Sequence, residues 1–80
     1  MIVHKTEARL AQRLLEQAEA NVVHRQRWAT QAEMAARLGT VPDVIGRALQ
    51  KLVEEQLIRV ERQRIWILNR EGLLAKALLE

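Results

Sequence analysis

The sequence predicts a mostly α-helical domain with one small β-hairpin, and three observations carry that prediction. Apolar residues recur at helical spacing in four separate stretches. After Glu55 the apolar period switches from helical to alternating, as a hairpin requires. The punctuation between stretches, Gly39, Pro42 and Asn69, falls where helices stop and start. Eighty residues make a single small domain, and 49% apolar content is enough for a packed core.

The first helix is expected over residues 6–20. Leu10, Ala11, Leu14, Leu15 and Ala18 form its apolar stripe, and Arg9, Arg13 and Glu16 take the other side. Asn21 is the expected stop. Residues 22–29 are polar and basic, with His24, Arg25 and Arg27 but no stripe. Trp28 and Ala29 are expected to form a short strand or to anchor this loop in the core.

Thr30 opens a second helix of about two turns. Thr30 and Glu33 have the spacing of a capping box, in which the hydroxyl takes a free backbone N–H and the carboxylate reaches back. Met34, Ala35 and Leu38 face inward, and Gly39 ends the helix because it accepts left-handed backbone geometry. Pro42 fits the first turn of a third helix, where its missing N–H costs nothing. Ile45, Ala48, Leu49, Leu52 and Val53 make the inward stripe of that helix. Asp43, Arg47, Gln50 and Glu54 project opposite, with Lys51 on the flank. Gly46 sits mid-helix, which costs roughly 1 kcal/mol against alanine. Two reasons stay open: the close approach of another surface, or a packing accommodation.

Leu57, Ile58 and Val60, then Ile65, Trp66, Ile67 and Leu68, read as two strands linked by Arg62, Gln63 and Arg64. Asn69 is placed to cap a last helix whose apolar side is Leu73, Leu74, Ala77 and Leu78.

A two-turn helix, a glycine turn and a longer helix with a polar outer face make a helix-turn-helix over about 30–55, and the hairpin over about 57–68 is its wing. The fold class expected is thus a winged helix-turn-helix: a three-helix core, a wing and a C-terminal helix. Asp43, Arg47 and Gln50 are residue types that hydrogen-bond base edges, and they lie near the end of the helix that enters a major groove. They are the candidate base readers of double-stranded DNA. Arg62, Arg64, Lys51 and Arg25 are candidate phosphate contacts.

Thirteen Lys and Arg against ten Asp and Glu give a net charge of +3, which weakly favours a polyanionic partner. The chain has no serine, cysteine or tyrosine, and no phosphate loop, HExxH or paired-carboxylate cluster, so it does not read as an enzyme. His4 and His24 have no metal-site spacing and read as surface residues. No apolar run is long enough for a membrane span, and the lack of cysteine fits a reducing compartment, here the cytoplasm.

The segments Arg9–Leu15, Thr30–Gly39, Val44–Leu49 and Leu52–Ile58 together resemble the C-terminal DNA-binding domain of the bacterial Crp–Fnr regulators, over nearly the whole chain. The resemblance implies that Thr30 touches phosphate at the helix start and that Arg47 reads a guanine. Asp43 falls where the family commonly has a glutamate that accepts from cytosine, one carbon longer. Pro42 replaces a base-reading arginine of the best-known members, and Val41 a small hydroxyl residue, so the DNA site implied is related to the usual half-site but different. The resemblance further implies a homodimer in the full-length protein, with a dimer helix and ligand-sensing domain N-terminal to this module. Residues 1–5 would be the tail of that helix and 6–80 the DNA-binding domain. Any effector would bind the sensor, and no cofactor is expected in this domain. The alternative function is a winged helix that docks proteins without reading DNA.

Overall fold

The computed structural model describes residues 5–24 and 31–78. The elements run α1 (Lys5–Gln17), β1 (Val22–His24), α2 (Gln31–Leu38), α3 (Pro42–Glu54), β2 (Ile58–Val60), β3 (Arg64–Ile67) and α4 (Arg70–Ala77). Leu10, Ala11 and Leu14 of α1 are fully buried, as the stripe requires, and Ala8 joins them. They meet Met34 and Ala35 of α2, Ile45, Ala48, Leu49 and Leu52 of α3, Ile58, Ile65 and Ile67 of the sheet, and Leu73 and Ala77 of α4 in one core.

Two helices end in the same backbone device. Gly39 takes φ +70°, its N–H donates to Ala36 O (3.4 Å), and Thr40 N–H donates to Ala35 O (2.9 Å). Gln56 takes φ +62°, its N–H donates to Val53 O (2.9 Å), and Leu57 N–H donates to Leu52 O (3.0 Å). Both are Schellman closures, which satisfy the last carbonyls of a helix through one left-handed residue. At the other end of α3, Val41 occupies the N-cap without a side-chain hydrogen bond, and Pro42 is the first helical residue. Asn69 caps α4: its Oδ1 accepts from Gly72 N–H at 2.9 Å.

Four expectations need correction. Helix α1 stops at Gln17, not Ala20, because Ala20 (φ +53°) and Asn21 (φ +64°) form the centre of a tight turn closed by two Glu19–Val22 backbone bonds of 2.8 and 3.1 Å. Two successive left-handed residues are what a type I′ turn demands. That turn launches β1, which pairs antiparallel with β3, so the hairpin is part of a three-stranded sheet in the order β1-β3-β2. Arg64 is the first residue of β3, not part of the link: Glu61 N–H donates to Arg64 O at 2.8 Å, leaving Arg62 and Gln63 as the turn. Finally, Leu74 and Leu78 are 50% and 75% exposed. In so short a helix only Leu73 and Ala77, four residues apart, point at the core; their following neighbours lie about 100° round.

Helix α4 lies along α1, and polar contacts reinforce the packing. Gln12 Nε2 donates to Ala77 O at 2.9 Å, satisfying a carbonyl at the end of α4. Lys76 Nζ lies 2.8 Å from Glu55 Oε1 and 3.5 Å from Glu7 Oε1, joining α4, the end of α3 and α1. The Lys76 and Glu7 side chains are only 10% and 12% exposed. The hydrogen bond to Glu55 holds the Lys76 ammonium above the ordinary lysine pKa, against a desolvation that acts the other way. No helix among the described residues is long and apolar enough to cross a membrane.

Candidate nucleic-acid interface

Helix α3 separates two faces. Ile45, Ala48, Leu49 and Leu52 bury one; Asp43, Arg47, Gln50, Lys51 and Glu54 line the other with Gln31 of α2 and the bare backbone of Gly46, in an open groove. Amphipathic periodicity alone produces this division, since a helix pinned along one stripe must display the remainder. Asp43, Arg47 and Gln50, the three candidate base readers, are therefore brought together, and Lys51 lies beside them.

Asp43 and Arg47 are one helical turn apart and paired: Arg47 Nη2 lies 3.1 Å from Asp43 Oδ2. The Arg47 and Asp43 side chains are 80% and 76% exposed, respectively. A pair in that setting is weak, about 0.3–0.5 kcal/mol. It orients the guanidinium along the helix without locking it, and a guanidinium carries further donors besides the one paired here.

The sheet presents a second polar face. Ile65 and Ile67 turn inward, so Arg64 and Trp66 turn outward, opposite Arg59 of β2. The half-buried Trp66 ring has the guanidinium carbons of Arg59 and Arg64 at 5.7 and 5.6 Å from its centre, within cation–π range. Glu61 gathers the group: it accepts from Trp66 Nε1 at 2.9 Å and Arg59 Nη2 at 3.1 Å, and lies 3.7 Å from Arg64 Nε. Arg64 is thus engaged along the sheet surface, while Arg62 stands exposed at the turn. Thr30 and Arg25, with Trp28, Ala29 and His4, lie outside the described residues, as does the proposed capping box.

Sequence reasoning passed over Gln31 and the Arg59–Glu61–Trp66 group. Gln31 gave no signal, because its partner lies eleven residues away across a turn. The Arg59–Trp66 pairing follows from strand register, which the sequence of the turn does not specify.

Residues 8–76 match the family model described as a Crp-like helix-turn-helix domain. A comparison with curated proteins gives no match. Among solved structures, the chain is similar to FixK2 from Bradyrhizobium japonicum, with a TM-score of 0.80 and 21% identity over 94% of this chain and 39% of that one. It is also similar to the catabolite activator protein of Thermus thermophilus, with a TM-score of 0.71 and 23% identity over 94% of this chain and 33% of that one. The chain thus spans between about a third and two-fifths of the length of these two proteins. The likeness in backbone makes the fold a winged helix.

Proposed function

Because this chain belongs to the Crp-like helix-turn-helix domain family, we propose that it is a sequence-specific binder of double-stranded DNA and the output domain of a transcription regulator. In this reading α3 lies in the major groove. Arg47 addresses a guanine through O6 and N7, Gln50 reads along the same face, and Asp43 sits beside them as acceptor and as partner of Arg47. Thr30, Lys51, Arg62, Arg64 and Arg25 supply phosphate contacts that set register and much of the affinity.

One observation carries the proposal: the outer face of α3 from Asp43 to Gln50 is rich in donors and acceptors and open to solvent, while the helix packs into the core through its opposite, apolar face. Such a face contributes little to folding, and its chemistry matches base edges. The regulator is proposed to act as a homodimer on a two-fold site in the cytoplasm, with any effector bound by a separate sensor domain of the full-length protein and no cofactor in this one.

The test is selection from a random-duplex pool at low and moderate salt, followed by sequencing of the retained duplexes. A short shared half-site, held with an affinity that falls steeply as salt rises, is the expected result. No retention at low salt, even for a fused dimer, would refute DNA binding.

A further inference from the structure

Gly46 faces Gln31. The Gln31 Nε2 donates to the carbonyl oxygen of Pro42 at 3.1 Å, tying the first residue of α2 to the first residue of α3. A carbonyl partner fixes which end of the amide points inward, because only the nitrogen can donate. The same nitrogen lies 2.8 Å from where a Cβ on residue 46 would stand. Helical Cα–Cβ bonds tilt toward the N-terminus, so any side chain at 46 would overhang the turn that holds Pro42. The glycine therefore keeps open the space that the amide fills. Backbone strain does not account for it, since Gly46 has an ordinary helical φ; among the described residues beyond its own helix backbone, the atoms within 4 Å of its missing Cβ belong to Gln31.

We propose that Gln31 is a positioning residue for the recognition helix, a latch seated in the notch that Gly46 leaves, and that it sets the angle at which Arg47 and Gln50 are presented. This rests on the DNA-binding reading above. The latch joins the N-terminal turns of the two motif helices on the groove side, where Gln31, Pro42 and Asp43 are all exposed. Val41 makes no side-chain cap bond, so the bond from Gln31 ties the entry to α3 to a neighbouring helix, although it leaves the free N–H groups of the first turn unserved. Because the obstructing atom is the far end of a flexible side chain, Gly46→Ala can fold by expelling the amide. The substitution then removes the latch without touching Gln31 itself.

The experiment combines Gln31→Ala, Gly46→Ala and the double variant in the full chain. Each is titrated against a duplex bearing the selected half-site and against a scrambled duplex, and the Gln31 side-chain amide is followed by ¹⁵N NMR without DNA. Each single variant should lose about three- to ten-fold in half-site affinity, the scale of one hydrogen bond, with the scrambled duplex little changed. The double variant should lose no more than either single one, since both break the same contact. In wild type the amide resonances should be displaced from those of free glutamine, and Gly46→Ala should return them. Additive losses, unaltered half-site affinity in Gln31→Ala, or free-glutamine resonances in wild type would each overturn the proposal. If wild type fails to discriminate the duplexes, the DNA-binding reading falls, and the amide resonances still decide whether the latch exists.

Discussion

Replacing Arg47 with alanine should separate DNA reading from folding. The side chain is 80% exposed, and its one described partner is Asp43, itself 76% exposed. Removing an exposed pair one turn apart costs about 0.3–0.5 kcal/mol, and the better helix propensity of alanine offsets part of that. The melting temperature should therefore move by less than about 3 °C, given the roughly 4–8 °C per kcal/mol expected for a domain of this size. Binding should respond quite differently. A bidentate arginine–guanine contact discriminates by about 1–3 kcal/mol, which is roughly 5- to 150-fold in affinity. The loss should be confined to one base pair of the half-site. Fluorescence anisotropy with four duplexes that differ only at that pair, beside a thermal melt of the free variant, measures both quantities. An equal loss on all four duplexes would make Arg47 a phosphate contact. A destabilisation above about 1 kcal/mol would show a structural role and refute the argument from exposure.

Other substitutions probe the scaffold and the wing. Lys76→Met should destabilise by about 2 kcal/mol, less than a fully buried pair because Glu55 keeps 35% exposure. The Lys76 pKa is raised on folding, so its contribution is complete below the unfolded value of about 10.4 and is lost as pH climbs through the higher folded value. The wild-type advantage in denaturant titrations should therefore persist above neutrality and shrink in strong alkali; a loss of that advantage already at about pH 8 would contradict the assignment. Arg62→Gln should flatten the salt dependence of DNA binding by about one unit of slope, and Arg64→Gln by less, because Arg64 is already engaged with Glu61 and Trp66. Equal changes would show that the Glu61 group does not restrain Arg64. Gly39→Ala should cost about 1 kcal/mol from its φ of +70° alone, since no atom of the described residues beyond its chain neighbours lies within 4 Å of the added Cβ. An unchanged melting temperature would refute that.

The sequence was most legible where local chemistry decides structure. The stripes of α1 and α3, the glycine stop at 39, the proline start at 42 and the Asn69 cap are each dictated by residues within one or two turns, and each appears as expected. The groove face followed from the same period, since burying Ile45, Ala48, Leu49 and Leu52 leaves Asp43, Arg47 and Gln50 outside. What escaped depends on partners remote in sequence. Strand β1 has three residues and a single buried side chain, Val23, too little for an alternation signal, and exists because β3 supplies its hydrogen bonds. The Lys76–Glu7 contact spans 69 positions. Leu74 and Leu78 looked like core because an apolar stripe drawn too broadly counts neighbours as equals. Gly46 was legible as an anomaly, but only the tertiary arrangement reveals Gln31 as its cause.

The third strand changes what the wing is. An isolated two-stranded hairpin is marginal in water and would have to surrender conformational freedom on meeting a partner. Here β3 is the middle strand, bonded on both edges, and the start of β1 is fixed by Asn21, whose carbonyl accepts from Ile67 N–H at 2.8 Å and whose side chain accepts from Arg70 at 3.0 Å. The Ala20–Asn21 turn and the tip carrying Arg62 thus lie at opposite ends of one three-stranded plate. If the proposed DNA reading holds, a mutation at Val23 or Asn21, neither of them a proposed contact, would slacken that plate and should be felt as faster departure from the duplex, with the rate of arrival left almost unchanged.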